Sequence, residues 1–83
     1  MENLREIYSH SIRNRKELKK SKKCGCFYCM EIFNPCDIKH WYREKGGEKT
    51  AICPHCGIDS IIAETEDYKI TKELLEEMRK EYF

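Results

Sequence analysis

Two Cys-x-x-Cys pairs, Cys26 with Cys29 and Cys53 with Cys56, constrain this chain more than any other feature of it. A Cys-x-x-Cys turn places two sulfurs on the same side of a tight loop, close enough to chelate one ion. Two such turns complete the four-sulfur tetrahedron of a structural zinc site, with Zn–S near about 2.3 Å. The stretch between the pairs is slightly longer than the commonest ribbon spacing, but two knuckles remain a specific signal. The second is the more typical of the two, because Pro54 stiffens its start and Gly57 permits its exit. The expected ligands are Cys26, Cys29, Cys53 and Cys56. The expected cofactor is one Zn²⁺ that stabilises the fold rather than performing chemistry.

The remaining cysteines and histidines fit this site less well. Cys24-Gly25-Cys26 allows a slipped register in which Cys24 replaces Cys26. The Cys-x-x-Cys turn favours Cys26 and leaves Cys24 as a neighbouring or buried thiol. Cys36 is expected to be free. His55 occupies the interior of its knuckle, which points outward. Phe33, Ile38 and His40 loosely mimic a ββα finger, but the Phe-to-His interval is short and no second His follows at finger spacing. A thioredoxin-like redox pair lacks its βαβ context. Iron–sulfur ligation by the same four cysteines has compatible spacing.

Length sharpens the argument. An 83-residue chain holds one domain, and domains this small often need a metal, disulfides or a partner chain to supplement a thin core. The charged start, Met1-Glu2-Asn3-Leu4-Arg5-Glu6, has no apolar h-region, and no apolar run approaches a membrane span. The expected location is therefore cytoplasmic, with no membrane partner. Thiols stay reduced in that compartment, so six cysteines read as metal chemistry rather than as a disulfide framework.

Charge is close to balanced overall but unevenly spread. Arg13, Arg15, Lys16, Lys19, Lys20, Lys22 and Lys23 face the single acid Glu17 within residues 13–23, whereas acids outnumber bases from Glu64 onward. Such asymmetry bears on partners rather than on fold.

The chain divides into three parts. Residues 3–22 lack Gly and Pro, and Leu4, Ile7, Tyr8, Ser11, Arg15 and Leu18 share one side at helical spacing. This predicts one amphipathic helix that becomes basic toward its end. Residues 24–63 form the two-knuckle zinc core. Met30-Glu31-Ile32-Phe33 alternates weakly and reads as a short strand, and Asn34-Pro35 opens a short helix reaching about Arg43 that buries Ile38 and Trp41, with Tyr42 beside them. Gly46-Gly47 makes a turn, and strands precede and follow the second knuckle. Residues 70–83 form a C-terminal helix, with Thr71 as N-cap and Ile70 stapled to Leu75. The fold class is α+β: a small zinc-ribbon-like core of two knuckles and short antiparallel strands, flanked by N- and C-terminal helices.

The run from Cys24 through Asn34-Pro35, then Trp41, then Thr50 through Ser60, resembles a family of small bacterial proteins of unknown function, usually labelled only as cytoplasmic proteins. The likeness extends to His10-Ser11 and Asn14-Arg15 upstream and to Tyr68-Lys69-Ile70-Thr71 and Tyr82-Phe83 downstream. It implies a complete single domain, residues 1–83, a zinc-ribbon-like core and a cytoplasmic home, and brings no activity with it. Within the resemblance, His10, Ser11, Asn14 and Arg15 form a polar stripe on one helix side. The stripe either contacts a ligand or hydrogen-bonds to the knuckle it packs against.

Three function classes follow. In the first, a non-enzymatic zinc module binds nucleic acid, with Arg13, Arg15, Lys16, Lys19, Lys20, Lys22 and Lys23 contacting phosphates beside Phe27 and Tyr28 as stacking surfaces. In the second, the oppositely charged terminal helices serve protein interaction or self-association. The third, a metal-dependent hydrolase, lacks a recognisable catalytic constellation, and four cysteines close a zinc site. The expectation is the first, with no catalytic residues.

Overall fold

The elements run α1 (Leu4–Ser9), α2 (Arg15–Lys20), β1 (Cys24–Cys26), β2 (Ile32–Phe33), a 3-10 turn (Pro35–Asp37), β3 (His40–Arg43), β4 (Lys49–Ile52), β5 (Ile61–Ala63) and α3 (Lys72–Tyr82). They come from a computed structural model of the chain, which describes residues 4–83. Strands β2, β1 and β5 form one antiparallel sheet in that order, and β3 pairs with β4 in a second. The fold is thus a small α+β structure with helices near both ends.

Strand alternation sorts the core into two clusters. In the three-stranded sheet, Cys24 lies opposite Phe33 and Ala63, and Cys26 opposite Ile61. These residues pack with Leu18 of α2, Ala51 of β4, Ile38 and Cys53. Between them Gly25 lies opposite Ile32 and Ile62. Ile62 packs on the other face, with Ile7 of α1, Ile70 and, from α3, Leu75 and Met78. A Cβ on Gly25 would stand 2.9 Å from Ile70 Cγ2 and 3.0 Å from Leu75 Cδ1, so the missing side chain lets α3 lie close to β1.

The C-terminal helix forms as its caps predict. The Thr71 hydroxyl accepts the Leu74 amide at 3.1 Å, and Ile70 shares its buried cluster with Leu75. No helix among the described residues is long and apolar enough to cross a membrane.

Two expectations need correction. The predicted helix over residues 3–22 is two short helices with a break at 10–14, and residue 3 lies outside the described residues. Ile7 belongs to the cluster that contains Leu75, whereas Leu18 belongs to the cluster that contains Cys26. One straight helix cannot bury both faces of this sheet, so the chain turns, with Arg13 in the left-handed region at φ 50°.

The second correction concerns residues 35–43. Asn34 Oδ1 does accept the Cys36 amide at 2.9 Å, and Pro35 follows it, but only one 3-10 turn forms. His40–Arg43 is a strand instead, with Trp41 opposite Ala51 and Tyr42 opposite Thr50, and strand alternation leaves Tyr42 exposed rather than in the core. Gly46 and Gly47, at φ 89° and 87°, close the hairpin. Aromatic residues followed by Gly-Gly carry that hairpin signal, and pairing with β4 outweighs the helix start. The strands flanking the second knuckle, β4 and β5, do not pair with each other but belong to different sheets.

Candidate metal centre

The two knuckles repeat one backbone pattern. Cys26 N–H donates to Glu31 O and Cys53 N–H to Ile58 O, both at 3.0 Å. Met30 N–H donates to Cys26 O and Gly57 N–H to Cys53 O, both at 2.9 Å. The residue after each second cysteine is left-handed, Met30 at φ 70° and Gly57 at φ 79°. This curl aims amides at sulfur. Tyr28 and Cys29 N–H donate to Cys26 Sγ at 3.4 and 3.5 Å, and His55 N–H donates to Cys53 Sγ at 3.3 Å.

The sulfurs of Cys26, Cys29, Cys53 and Cys56 all lie within 4.8 Å of one another. Across the knuckles, Cys26 Sγ is 3.6 Å from Cys56 Sγ, and Cys29 Sγ is 3.7 Å from Cys53 Sγ. A tetrahedron with metal–sulfur bonds near 2.3 Å has edges of about 3.8 Å, whereas a disulfide needs about 2.05 Å. The four cysteines could therefore hold one metal ion. Because the second knuckle joins β4 to β5, which belong to separate sheets, an ion here would tie the two sheets together.

Electrostatics points the same way. Burial pushes Cys29 and Cys53 each up to about 11, and it raises Cys56 as well. Burial acts on Cys26 too, but the Ser60 hydroxyl and the amides of Cys29 and Tyr28 outweigh it and hold this thiol below its ordinary value. Ser60 Oγ is 3.0 Å from Cys26 Sγ, and Ser60 is buried. Four sulfurs this close cannot all ionise without a compensating cation. Ser60 is not legible in the sequence, because nothing in the knuckle spacing marks the residue that reaches back across the sheet.

Cys24 lies outside the cluster. It is fully buried, its Sγ is 3.4 Å from Phe33 O, and burial, followed by Cys53, pushes it up to about 12. Strand alternation turns Cys24 and Cys26 toward the same face, but only the knuckle turn brings Cys26 to the other sulfurs. Cys36 is exposed on the 3-10 turn. His55 is exposed and packs edge-on against Phe33, at 5.1 Å between ring centroids. His40, which falls within the expected helix reaching Arg43, is exposed on β3 instead.

The basic residues gather around α2. Arg13, Lys16, Lys19, Lys20, Lys22 and Lys23 are exposed, and Arg15 is half-buried with its guanidinium 5.5 Å from the centre of the Trp41 ring. Arg13, Lys16, Lys20 and Lys22 line an open groove of about 720 Å³ with Lys69, which also carries Glu17, Glu64 and Glu66. The aromatics expected beside them are elsewhere. Phe27 is 1% exposed among Tyr8, Tyr82 and Phe83, so it cannot serve as a stacking surface. Tyr28 packs against Phe83 and under Arg79, at the end of α3. The aromatic that does stand beside the basic helix is Trp41, which the expected helix would have placed in the core.

The polar stripe resolves into structural bonds. Asn14 is buried and donates to His10 O at 3.1 Å and to Ile61 O at 2.8 Å. Ser11 is buried and its hydroxyl donates to Tyr8 O at 2.7 Å. His10 Nδ1 is 2.9 Å from Glu17 Oε2, and Arg15 faces Trp41. The break at 10–14 removes the shared helix face on which the stripe depended. No family model matches this chain, nor does any curated protein or solved structure.

Proposed function

We propose that the four cysteines hold one Zn²⁺ as a structural ion in a reducing, cytoplasmic setting, and that the folded module binds nucleic acid through the basic surface of α2. Four thiolates at tetrahedral spacing suit zinc, and they occupy every position of a four-coordinate ion. A site closed in this way supports a non-enzymatic role. An iron–sulfur cluster spreads its thiolates around several metal atoms, which fits sulfurs within 4.8 Å less well.

One observation carries the nucleic-acid reading: Lys16, Lys19, Lys20, Lys22 and Lys23 stand exposed along and just after a single short helix, next to Arg15 and an accessible part of Trp41. Phosphate contacts by such side chains give binding that weakens steeply with salt and hardly depends on sequence. The test is fluorescence anisotropy of labelled DNA and RNA oligonucleotides with zinc-loaded protein, from low to physiological salt. Replacing Lys19, Lys20, Lys22 and Lys23 by Gln is expected to weaken binding to every sequence and to flatten the salt slope. Absence of binding at low salt, or unchanged affinity after the replacement, would sink the reading.

A second reading rests on a different surface. Tyr8 is 42% exposed and stacks on Tyr82 at 3.9 Å, and Phe83 is 59% exposed against Tyr28. This aromatic patch supports self-association or adaptor binding. Sedimentation equilibrium distinguishes the two, since self-association through the patch raises the average mass with concentration and is lost in Phe83→Ser.

A further inference from the structure

Of the basic surface, one part is shaped for more than phosphate. A groove of about 340 Å³ runs between α2 and β3. Leu18, Pro35 and Ile38, all buried, contribute its apolar lining, Trp41 provides an aromatic wall, and Arg15 and Lys19 bring positive charge to it. Its volume is at the low end of small-molecule sites, which span about 300 to 1,000 Å³. An apolar, aromatic recess with cations at its margin fits a flat aromatic group attached to an anion.

We infer that this groove is a stacking slot for one unpaired base of a single-stranded nucleic acid, with Trp41 as its platform. The inference rests on the nucleic-acid reading above and adds strand preference and a position. Every base has a π-face, so stacking on an indole is tolerant of sequence. Trp41 is half-buried in the recess, so a base held inside a duplex cannot reach it without leaving its own stack. Arg15 covers the ring at 5.5 Å in the free protein. A guanidinium–indole contact at a partly exposed site is weak, and the long side chain can swing aside and extend the stack over the base. Lys19 then meets the flanking phosphate. The 3-10 turn and Trp41 of β3 form the recess wall that faces α2.

Trp41 is the single tryptophan of the chain, so its emission reports on this slot without labelling. The zinc-loaded protein is titrated with an oligothymidylate of about twelve nucleotides, with a hairpin duplex, and with thymidine monophosphate, while anisotropy of a labelled strand is followed in parallel. The expected result is saturable quenching of Trp41 that tracks the anisotropy, with the single strand bound about tenfold more tightly than the duplex. Trp41→Leu is expected to lose about tenfold in affinity for the single strand, and Trp41→Phe to keep most of it. Zinc content and the thiolate charge-transfer absorption of cobalt-substituted protein establish that both variants are folded. Binding by anisotropy with silent tryptophan emission and an unaffected Trp41→Leu variant would overturn the slot while leaving the phosphate reading intact. Equal affinity for duplex and single strand, or quenching by the monophosphate as tight as by the strand, would also overturn it. Absence of any binding at low salt would remove both readings together.

Discussion

The side-chain carbonyl of Asn14 accepts the backbone N–H of Ala51 at 3.1 Å, while its amide donates to Ile61 O at 2.8 Å. Ala51 lies on β4 of the two-stranded sheet, and Ile61 lies on β5, an edge of the three-stranded sheet. One buried side chain therefore bridges two open edges as a strand would. Asn14→Ala leaves an amide and a carbonyl buried without partners, at roughly 1–3 kcal/mol each. The expected loss of unfolding free energy in urea is roughly 2–6 kcal/mol. Asn14→Asp is expected to be comparably damaging, because a carboxylate cannot donate to Ile61 O. A loss below about 0.5 kcal/mol in both variants would show that the bridge contributes little.

Gly25 tests the approach of α3 to the sheet. Its added Cβ would meet Ile70 and Leu75, both fully buried with nowhere to move cheaply. Gly25→Ala is expected to destabilise by about 1–3 kcal/mol, and Gly25→Val by more. Thermal melting checks the order. A Gly25→Val protein as stable as the parent would mean that α3 does not pack as closely as described.

Thiol reactivity should sort the six cysteines by environment. Cys36 is exposed, whereas Cys24 is fully buried and pushed up to about 12, so little of it is thiolate near neutral pH. With metal bound, iodoacetamide is expected to label Cys36 alone. A chelator is expected to release Cys26, Cys29, Cys53 and Cys56 to labelling, with Cys24 following only as the fold opens. Mass spectrometry of digests reads the sites. Rapid labelling of Cys24 before the four cluster residues would contradict the assignment.

Metal loading should depend steeply on pH. In the metal-free fold Cys29 and Cys53 are pushed up to about 11 and Cys56 is raised, so these groups carry protons at neutral pH. A metal ion binds thiolates, so protons must leave as it enters. Metal-dependent stability is therefore present at higher pH and is lost as pH falls. With the three raised thiols each releasing a proton, apparent affinity is expected to fall by up to about a thousandfold per pH unit across the neutral range. Competition with a chromophoric chelator between pH 6 and 8 measures the slope, and a flat profile would argue against thiolate ligation.

The two Cys-x-x-Cys pairs are legible in the sequence because a knuckle is a local object. Its turn, its amide-to-sulfur bonds and its left-handed exit lie within about six consecutive residues, so spacing alone marks Cys26, Cys29, Cys53 and Cys56. The Thr71 cap and the Gly46-Gly47 turn are local in the same sense. What only the tertiary structure decided is which side of the three-stranded sheet each segment covers. The apolar spacing of residues 3–22 is compatible with one helix, but Ile7 and Leu18 are buried in different clusters, and the break that separates them places Asn14 between two sheets. Phe27 looks like an accessible knuckle aromatic until α1 and α3 close over it. Trp41 looks like a core residue of a helix until pairing with Ala51 sets it in a strand beside Arg15. Periodicity reports that a residue will be buried or exposed along its own element. The partner that covers it is set by contacts distant in sequence, and those contacts here put the basic helix and the one tryptophan side by side.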